Sequence, residues 1–311
     1  MARSPSSGAA YVDIRERAIA TIVVPGYVDF LAADGRGVWA TNTDRVERFE
    51  VDQPGPVATV QVPGACGAMV VAYGSLWVAS CAGSSVYRID LRSLDVQAVI
   101  ESGLADPNGE LSLAAGAGSI WVLSNPAGVL SRIDAETNDV VARIEVLPDS
   151  FAAAFGGNAV WVSNTGSTSD RSPGSVQRVD PDNGLVVATI PTGPAPCFLA
   201  ADALSVWTLN WGDGSVTAIE AASNDVVATL PLEMEGGGGD IDIGGNRVWV
   251  RGTKVLLAAI DPAVHVATHV FGPPAGSGAV RVADDLVWIT AHDIDTIWAL
   301  ETSSLDAGPP G

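Results

Sequence analysis

One tryptophan-centred phrase recurs seven times along the chain of 311 residues, and this repeat constrains the fold more than any other feature. Each copy sets a tryptophan inside a short apolar run, as in "SIWVLSN" and "AVWVSN". The seven tryptophans are Trp39, Trp77, Trp121, Trp161, Trp207, Trp249 and Trp288. They follow one another at intervals of 38 to 46 residues, which is typical of propeller blades and too long for leucine-rich or ankyrin repeats.

Each copy also contains four runs of strand length. In the fourth copy these runs are "FAAAFG", "AVWVSN", "SVQRVDPDN" and "LVVATIPTG". They are rich in Val, Ile and Trp, and the Gly, Asn, Asp and Pro residues between them are those that tight turns require. Helical periodicity is absent. We therefore predict an all-β protein, a seven-bladed β-propeller with four-stranded antiparallel blades, and place the seven tryptophans in the packing between blades.

The two ends of the chain predict how the ring closes. The last copy stops after three strands, whereas the chain begins with "AIATIVVPG", a phrase that forms the fourth strand elsewhere. An open ring would expose two sheet edges to other chains, so we expect the N-terminal strand to complete the last blade. Blade seven then combines residues 17–24 with residues 279–304. The predicted organisation is a polar leader at 1–16, one propeller domain at 17–304 and a tail at 305–311.

The composition restricts the partners of the protein. With 36 Asp and Glu against 16 Lys and Arg, the net charge is −20, and this field repels phosphate backbones and anionic lipids. We expect no nucleic-acid or membrane partner, and we expect a monomer. The N-terminus lacks the apolar region of a signal peptide, which predicts a cytoplasmic protein, a secreted form with its signal removed being the alternative. Cys66 and Cys81 lie in loops at the same end of blade two, within possible disulfide range, and we expect free thiols there.

The blade formula also carries a family resemblance. Around the fifth copy, "PCFLA", "SVWTLN" and "VVATLP" resemble YVTN-type propeller repeats and the streptogramin B lyase-like (virginiamycin B lyase-like) superfamily. The resemblance covers nearly the whole chain. It implies a seven-bladed propeller, lyase-type chemistry on one face of the ring and a magnesium ion. We predict no cofactor from the residues themselves, and a divalent cation such as Mg²⁺ follows from the resemblance alone.

The catalytic residues of that family have no counterpart at the matching positions. In the family, histidines open the innermost strands and a carboxylate follows the tryptophan strand. Here the strand-opening pairs are Asp29-Phe30, Gly67-Ala68, Leu111-Ser112, Phe151-Ala152, Cys197-Phe198, Gly239-Asp240 and Gly278-Ala279. None contains histidine, and none of the loops after the tryptophan strands has an acidic residue at the matching position.

The same face nevertheless carries residues typical of a small-molecule site. Phe30, Phe151, Phe198 and Trp211 come from different blades and would form aromatic walls, and Asn42, Asn164 and Asn210 would supply amide groups. The alternative is that the aromatic side chains pack between blades and the asparagines form turns. His292 follows the last tryptophan strand and is a candidate general acid or base.

Four charged residues belong to the innermost strands of blades six and seven or to the hairpin beside them. In "DIDIGGNRVWVRG" a two-residue turn at Gly245 and Asn246 would set Asp240 opposite Arg251, which suits a cross-strand ion pair. Asp242 and Arg281 stand where other blades have Ala or Val, and they either pair across the blades or form a polar site.

Two classes of function follow. The first is an enzyme that eliminates, cyclises or isomerises a largely apolar small molecule in the mouth of the ring. Its candidate catalytic residues are His292, Asp29 and Asp240, and its candidate substrate-binding residues are Phe30, Phe151, Phe198, Trp211, Asn42, Asn164, Asn210 and Arg251. The second is a propeller that binds a ligand or protein without catalysis. Convergence of His292, Asp29 and Asp240 in one cleft would favour the enzyme.

Overall fold

The structure is a computed structural model that describes residues 9–81, 83–104, 110–124, 128–166, 173–234 and 238–305. Within these residues, 29 strands form seven separate sheets, one for each tryptophan repeat. The innermost strands of successive sheets contact one another around a complete circle, with that of the seventh returning to the first. This arrangement confirms the predicted seven-bladed β-propeller.

Each of the first four blades runs from an innermost strand at the ring axis to an outermost strand at the rim. Blade one contains β3 (Leu31–Asp34), β4 (Gly37–Asn42), β5 (Arg45–Phe49) and β6 (Ala58–Gln61). Blade two contains β7 (Ala65–Ala72), β8 (Ser75–Ser80), β9 (Ser85–Asp90) and β10 (Val96–Glu101). Blade three contains β11 (Leu111–Gly116), β12 (Ser119–Ser124), β13 (Val129–Asp134) and β14 (Val140–Glu145). Blade four contains β15 (Ser150–Gly156), β16 (Ala159–Asn164), β17 (Pro173–Val179) and β18 (Val186–Pro194).

The last three blades follow the same order, with the N-terminal strands added to two of them. Blade five contains β19 (Pro196–Ala201), β20 (Ser205–Asn210), β21 (Ser215–Glu220) and β22 (Val226–Pro231). Blade six contains β23 (Asp240–Gly244), β24 (Arg247–Arg251), β25 (Leu257–Asp261), β26 (Val266–Gly272) and β1 (Ala10–Asp13). Blade seven contains β27 (Val280–Ala283), β28 (Leu286–Ala291), β29 (Thr296–Glu301) and β2 (Ala18–Val23).

Strand β2 closes the ring as predicted. It pairs antiparallel with β29, with Thr21 opposite Trp298 and Val23 opposite Thr296, and so forms the outermost strand of blade seven. Pairing the first strand of the chain with the last blade leaves no gap in the circle of sheets and ties the two ends of the domain together.

Part of the segment predicted as a polar leader is also folded. Strand β1 pairs in parallel with β26, from Ala10 opposite His269 to Asp13 opposite Gly272, and gives blade six a fifth strand. A short 3-10 turn at Ile14–Glu16 then carries the chain to β2, and Ile14 is buried among residues of blades six and seven. The N-terminal segment therefore covers one sheet edge and completes another. None of the helical turns among the described residues is long enough to cross a membrane.

The seven tryptophans occupy the same position in every blade, and all are at most 1% exposed, in agreement with the prediction. Each lies in the second strand and pairs with a residue of the innermost strand. These partners are Ala32, Val70, Ala114, Ala154, Ala200, Asp242 and Arg281. The register thus confirms that Asp242 and Arg281 replace small apolar residues beside the axis.

The expectation of free thiols in blade two was wrong. Cys66 and Cys81 form a disulfide, with their Cα atoms 5.8 Å apart. Ala65 pairs with Ser80, so the next residues of the two strands are close, and a bulge between Ala65 and Met69 turns Cys66 toward Cys81. Cys197 remains a free, buried thiol, and its Sγ donates to the carbonyl oxygen of Leu209 over 3.0 Å. The cytoplasmic location stays a prediction that rests on the N-terminal sequence.

Candidate functional site

Bulges in the innermost strands aim aromatic side chains toward the mouth of the ring. In blade four the pairing between β15 and β16 is interrupted between Ser150 and Ala153, and in blade five that between β19 and β20 is interrupted between Pro196 and Leu199. Phe151 lies in the first bulge and Phe198 in the second. A bulge turns a side chain away from its regular alternation, which brings both rings to the same end of the channel.

Phe151, Phe198 and Trp211 form a compact aromatic cluster. The ring centroid of Phe151 lies 5.1 Å from that of Phe198 and 4.8 Å from that of Trp211, and both contacts are edge-to-face. Phe198 and Trp211 are 5.8 Å apart in the same type of contact. The Trp211 backbone nitrogen donates to Ala195, whereas its buried Nε1 has no hydrogen-bond partner within the described part of the chain.

This cluster forms one wall of a small pocket of about 40 Å³, which we call the aromatic pocket. Its lining includes Phe30, Ser112, Phe151, Phe198, Asp240 and Arg281. Trp211 lies behind the two phenylalanines and is not among the lining residues. Three of the four predicted aromatic residues therefore meet in one pocket, and the fourth supports them from behind.

A second pocket of about 370 Å³ adjoins the first, and we call it the acidic pocket. Its lining includes Tyr27, Asp29, Asn42, Asp44, Cys66 and Glu110. Phe30 and Glu110 line both pockets, so the two are joined there. Together they form what we call the ring mouth. Glu110 was not identified from the sequence, although it directly precedes the innermost strand of blade three.

Asp29 is the most strongly perturbed acid of the ring mouth. Burial raises its pKa from 3.8 to about 8, and the negative charges of Glu110 and Asp240 act in the same direction. Arg251 lowers the pKa, but its effect is smaller than those of burial and the two acids. At neutral pH the Asp29 carboxyl therefore holds a proton, which it can donate to a bound molecule.

Asp240 is ionised at neutral pH and firmly held. Its Oδ1 accepts from the backbone nitrogen of Ile241 at 2.9 Å, and its Oδ2 accepts from Val280 at 3.1 Å and from Arg281 Nη1 at 2.5 Å. The side chain is 3% exposed. Burial raises the pKa of Asp240 to about 6, and the opposing effect of Arg281 limits the shift.

The predicted ion pair between Asp240 and Arg251 was wrong, although the register was right. Asp240 lies opposite Arg251 across the turn at Gly245 and Asn246. The Arg251 guanidinium instead donates to the carbonyl oxygens of Thr290 and Gly252. Asp240 pairs with Arg281 because its bond to the Val280 backbone already places it beside the next residue of that blade.

Arg251 is fully buried among acids. Its Nη2 has no hydrogen-bond partner among the described residues. Burial lowers its pKa to about 10, against the charges of Asp29, Asp293 and Asp240. The Arg251 side chain is absent from the lining of both pockets, so its connection to the ring mouth is electrostatic.

The three predicted asparagines are bonded to the protein itself. Asn42 lines the acidic pocket, where its Oδ1 accepts from the backbone nitrogens of Tyr27 and Thr43 and its Nδ2 donates to Glu47. The Asn164 amide donates to the Pro148 carbonyl oxygen. Asn210 donates to the hydroxyls of Ser215 and Thr217. Asn164 and Asn210 lie outside the lining of the ring mouth, and their hydrogen bonds connect neighbouring strands and loops of their own blades.

His292 reaches the ring mouth only through Tyr27. The two rings stack with their centroids 4.4 Å apart, and His292 Nε2 lies 3.4 Å from the tyrosine hydroxyl. His292 Nδ1 lies 2.8 Å from the Asp293 carboxylate. Burial lowers the pKa of His292, so its imidazole is neutral at pH 7. Asp29 and Asp240 thus belong to adjoining pockets, whereas His292 lies behind the tyrosine that lines one of them.

The residues present do not fit the magnesium ion that the family resemblance implies. In the part of the chain that the structure describes, no three His, Cys, Asp or Glu side chains are grouped closely enough to hold a metal. Asp44 instead accepts from the Gly64 backbone nitrogen, and Asp240 accepts from Arg281 and from two backbone nitrogens. We therefore derive no chemical step through a metal ion.

Comparisons with known proteins identify the fold. No protein-family model matches the chain, and no curated protein matches its sequence. Among solved structures, the WD40 domain of Neurospora crassa Pan2 superposes with a TM-score of 0.73 at 11% identity, over 92% of this chain and 94% of that one. A catalytically inactive variant of virginiamycin B lyase from Staphylococcus aureus with quinupristin superposes with a TM-score of 0.73 at 13% identity. The match covers 90% of this chain and 98% of that one. A streptogramin B lyase superposes with a TM-score of 0.71 at 14% identity, over 89% of this chain and 93% of that one. The chain is similar in fold both to lyases and to a WD40 domain, and at these identities the likeness concerns the propeller alone.

Proposed function

We propose that the ring mouth binds a largely apolar small molecule and that Asp29 exchanges a proton with it. The protein would then be an acid–base enzyme that isomerises its substrate or eliminates a group from it. A protonated carboxyl that donates its proton to one atom of the substrate and takes a proton back from another balances either reaction without a further reactant.

The observation that carries this proposal is the position of Asp29. Its carboxyl lines the acidic pocket next to Phe30, where the aromatic pocket begins. The pKa of about 8 lies near the pH at which proton transfer is most efficient, and this shift has a structural cause in burial and in the charges of Glu110 and Asp240. Catalytic sites commonly place an acid with a shifted pKa beside an apolar pocket.

The neighbouring residues would divide the remaining tasks. Phe30, Phe151 and Phe198 would hold the apolar body of the substrate, with Trp211 fixing the two phenylalanines. Asp240 has its oxygens engaged by Arg281 and two backbone nitrogens, which suits a fixed negative charge better than a proton carrier. Two acids whose pKa values are about 8 and about 6 adopt opposite protonation states at pH 7, which is how acid–base pairs are set up in enzymes.

A binding protein without catalysis is the second candidate, and the histidines favour it. His292 lines neither pocket, and the family's catalytic histidines have no counterpart in the strand-opening pairs. Under this alternative the same aromatic walls hold the ligand, and Asp29 contributes only to its affinity.

Deuterium exchange separates the two candidates. The full chain is incubated in D₂O with a panel of aryl ketones, aryl lactones and aryl-substituted amines, and mass spectrometry follows deuterium uptake or product formation. If the protein is an enzyme, we expect it to label or convert at least one compound. Asp29→Asn should then lower the rate of labelling or conversion by about 10² to 10⁴ while the compound still binds. Glu145→Gln, the same exchange of a carboxyl for an amide at an exposed position of β14 on the outer rim, serves as the control.

Binding supplies the second measurement. Trp211→Ala should weaken the affinity of any bound compound by about 1–3 kcal/mol, because the support of the aromatic wall is removed. Bound compounds that show neither labelling nor conversion would favour the binding protein. Turnover that survives Asp29→Asn would contradict the assigned role of Asp29.

A further inference from the structure

We infer that the molecule bound in the ring mouth is an organic cation, an ammonium group on an apolar body, with the ammonium held in the acidic pocket between Asp29 and Glu110. This inference rests on the proposed small-molecule site and names the class of its ligand.

The first support is the charge of the lining. The acidic pocket presents the carboxyl groups of Asp29, Asp44 and Glu110, and no Lys, Arg or His is among the described residues that line it. One oxygen of the Asp44 carboxyl is already hydrogen-bonded, because its Oδ1 accepts from the Gly64 backbone nitrogen at 2.9 Å. An acidic lining of this kind favours a ligand that carries a positive charge.

The second support is the aromatic surface beside those acids. Tyr27 and Phe30 both line the pocket, and the Tyr27 ring is fixed by stacking on His292. Ring faces next to carboxylates attract ammonium groups through the quadrupole of the ring, and quaternary ammonium ligands are recognised in this way. The volume of about 370 Å³ is enough for a substituted ammonium group, and the aromatic rings of the adjoining pocket would contact its apolar body.

The third support is the state of the protein's own cation nearest to Asp29. Arg251 does influence Asp29, but its guanidinium is directed at the carbonyl oxygens of Thr290 and Gly252. Asp29 therefore stays protonated, and Glu110, Asp240 and Asp293 all oppose its ionisation. An ammonium group in the pocket would offset these charges and allow the proton to leave.

Binding of a cation therefore has a pH signature with a defined sign. As the pH rises through about 8, Asp29 ionises in the free protein, and its affinity for a cation increases. At pH 7 the cation must displace the Asp29 proton, so binding releases a proton to the buffer. In the complex the pKa of Asp29 falls toward neutrality, which suits a proton-transfer group.

Two probes of the same shape test the inference. Calorimetry on the full chain compares (4-hydroxyphenyl)trimethylammonium with the neutral 4-tert-butylphenol. We expect the cation to bind at least tenfold more tightly, and Asp29→Asn and Glu110→Gln each to weaken the cation about tenfold without affecting the phenol. Glu145→Gln removes the same charge far from the pocket and should change neither affinity. Titrations at pH 7 in two buffers of different ionisation enthalpy measure the released proton.

Several outcomes would overturn the inference: equal binding of the two probes, binding of neither, or cation affinity unchanged in both variants. None of these depends on turnover. Cation preference without any deuterium exchange would reject the proposed enzyme and keep the inference, whereas exchange on neutral compounds alone would do the reverse. Because Asn resembles the protonated acid that Asp29 already is, Asp29→Asn should fold, and Glu110→Gln provides an independent variant.

Discussion

Two groups of blades join their neighbours in different ways. In blades two to four, the residue opposite the tryptophan on the third strand is an arginine that stacks over the ring and reaches the next blade. These arginines are Arg88, Arg132 and Arg178, and their partners are the carbonyl oxygens of Ala135, Pro181 and Ala221. In blades five to seven the same position is alanine, at Ala218, Ala259 and Ala299.

Blades six and seven are instead joined at the axis. Asp240 and Asp242 accept from the backbone nitrogens of Val280 and Val282, and Arg281 pairs with Asp240. The rim of these two blades receives β1 and β2 from the N-terminal segment. The same need to join blades is thus met by half-buried arginines on the third strands of blades two to four, and by charges beside the axis in blades six and seven. Of the axial charges, Asp240 and Arg281 line the aromatic pocket.

The largest expected effect concerns the N-terminal strands. Deleting residues 1–24 removes β2 and leaves β29 as an open edge, so we expect aggregation or loss of a single cooperative unfolding transition. Deleting residues 1–16 removes β1 and the buried Ile14 but leaves the ring closed, so a lower melting temperature with one transition is expected. Calorimetry and light scattering make the comparison, and a 1–24 deletion that melts like the parent would contradict closure by β2.

Next in size is the contrast between a charge at the axis and one at the rim. Asp240→Ala leaves Arg281 without its ion-pair partner in a buried place, and should lower the free energy of unfolding by about 3–5 kcal/mol. Arg178→Ala removes a cation–π contact and hydrogen bonds near the surface, and should cost about 1–2 kcal/mol. Urea unfolding at pH 7 measures both. If the two variants lose equal stability, the axial charges have no special role.

The pH dependence of stability should have opposite signs in the two regions. The pKa of Asp29 is raised in the folded protein. Its contribution to the free energy of unfolding is therefore complete below about pH 4 and is lost as the pH rises through about 8. The pKa of Asp134 at the rim is lowered by the backbone N–H groups of Thr137 and Glu136, so its contribution is present above pH 4 and lost in acid. At pH 9, Asp29→Asn should be more stable than the parent by about 2–4 kcal/mol.

Urea unfolding between pH 3 and pH 9 tests this pair. Asp134→Asn is the matched variant, and its loss of stability should appear above pH 4 and vanish in acid. A stability curve for Asp29→Asn that parallels the parent across the whole range would show that Asp29 does not titrate as described.

The smallest effect comes from transplanting the rim arrangement to blade five. There Trp207 faces Ala218, and the ring of His265 lies 5.7 Å from the indole, at a turn position where blades three and five have Asn138 and Asn224. The double variant Ala218→Arg with His265→Asn recreates the arrangement of the other blades, and should raise the free energy of unfolding by about 1 kcal/mol. Each single variant should be neutral or destabilising, which a double-mutant cycle by urea unfolding would detect.

The sequence by itself determined the architecture, because every blade repeats the same local rules. Seven tryptophans at a regular interval, alternating apolar runs and turn residues such as Gly245 and Asn246 fix the strands and their hairpins without reference to distant parts of the chain. The displaced "AIATIVV" phrase predicted the closure by β2 for the same reason. Even the placement of Asp242 and Arg281 opposite Trp249 and Trp288 followed from this register.

Only the tertiary structure decided the chemistry of the ring mouth. The partner of Asp240 is Arg281 of the next blade and not Arg251 of its own hairpin, because the contact between blades places the two side chains together. The disulfide of Cys66, the fifth strand of blade six and the part played by Glu110 likewise depend on bulges and edges that repeat spacing does not encode. A repeat specifies what each blade has in common, whereas a site is made from the places where the blades differ, and these meet only when the ring closes.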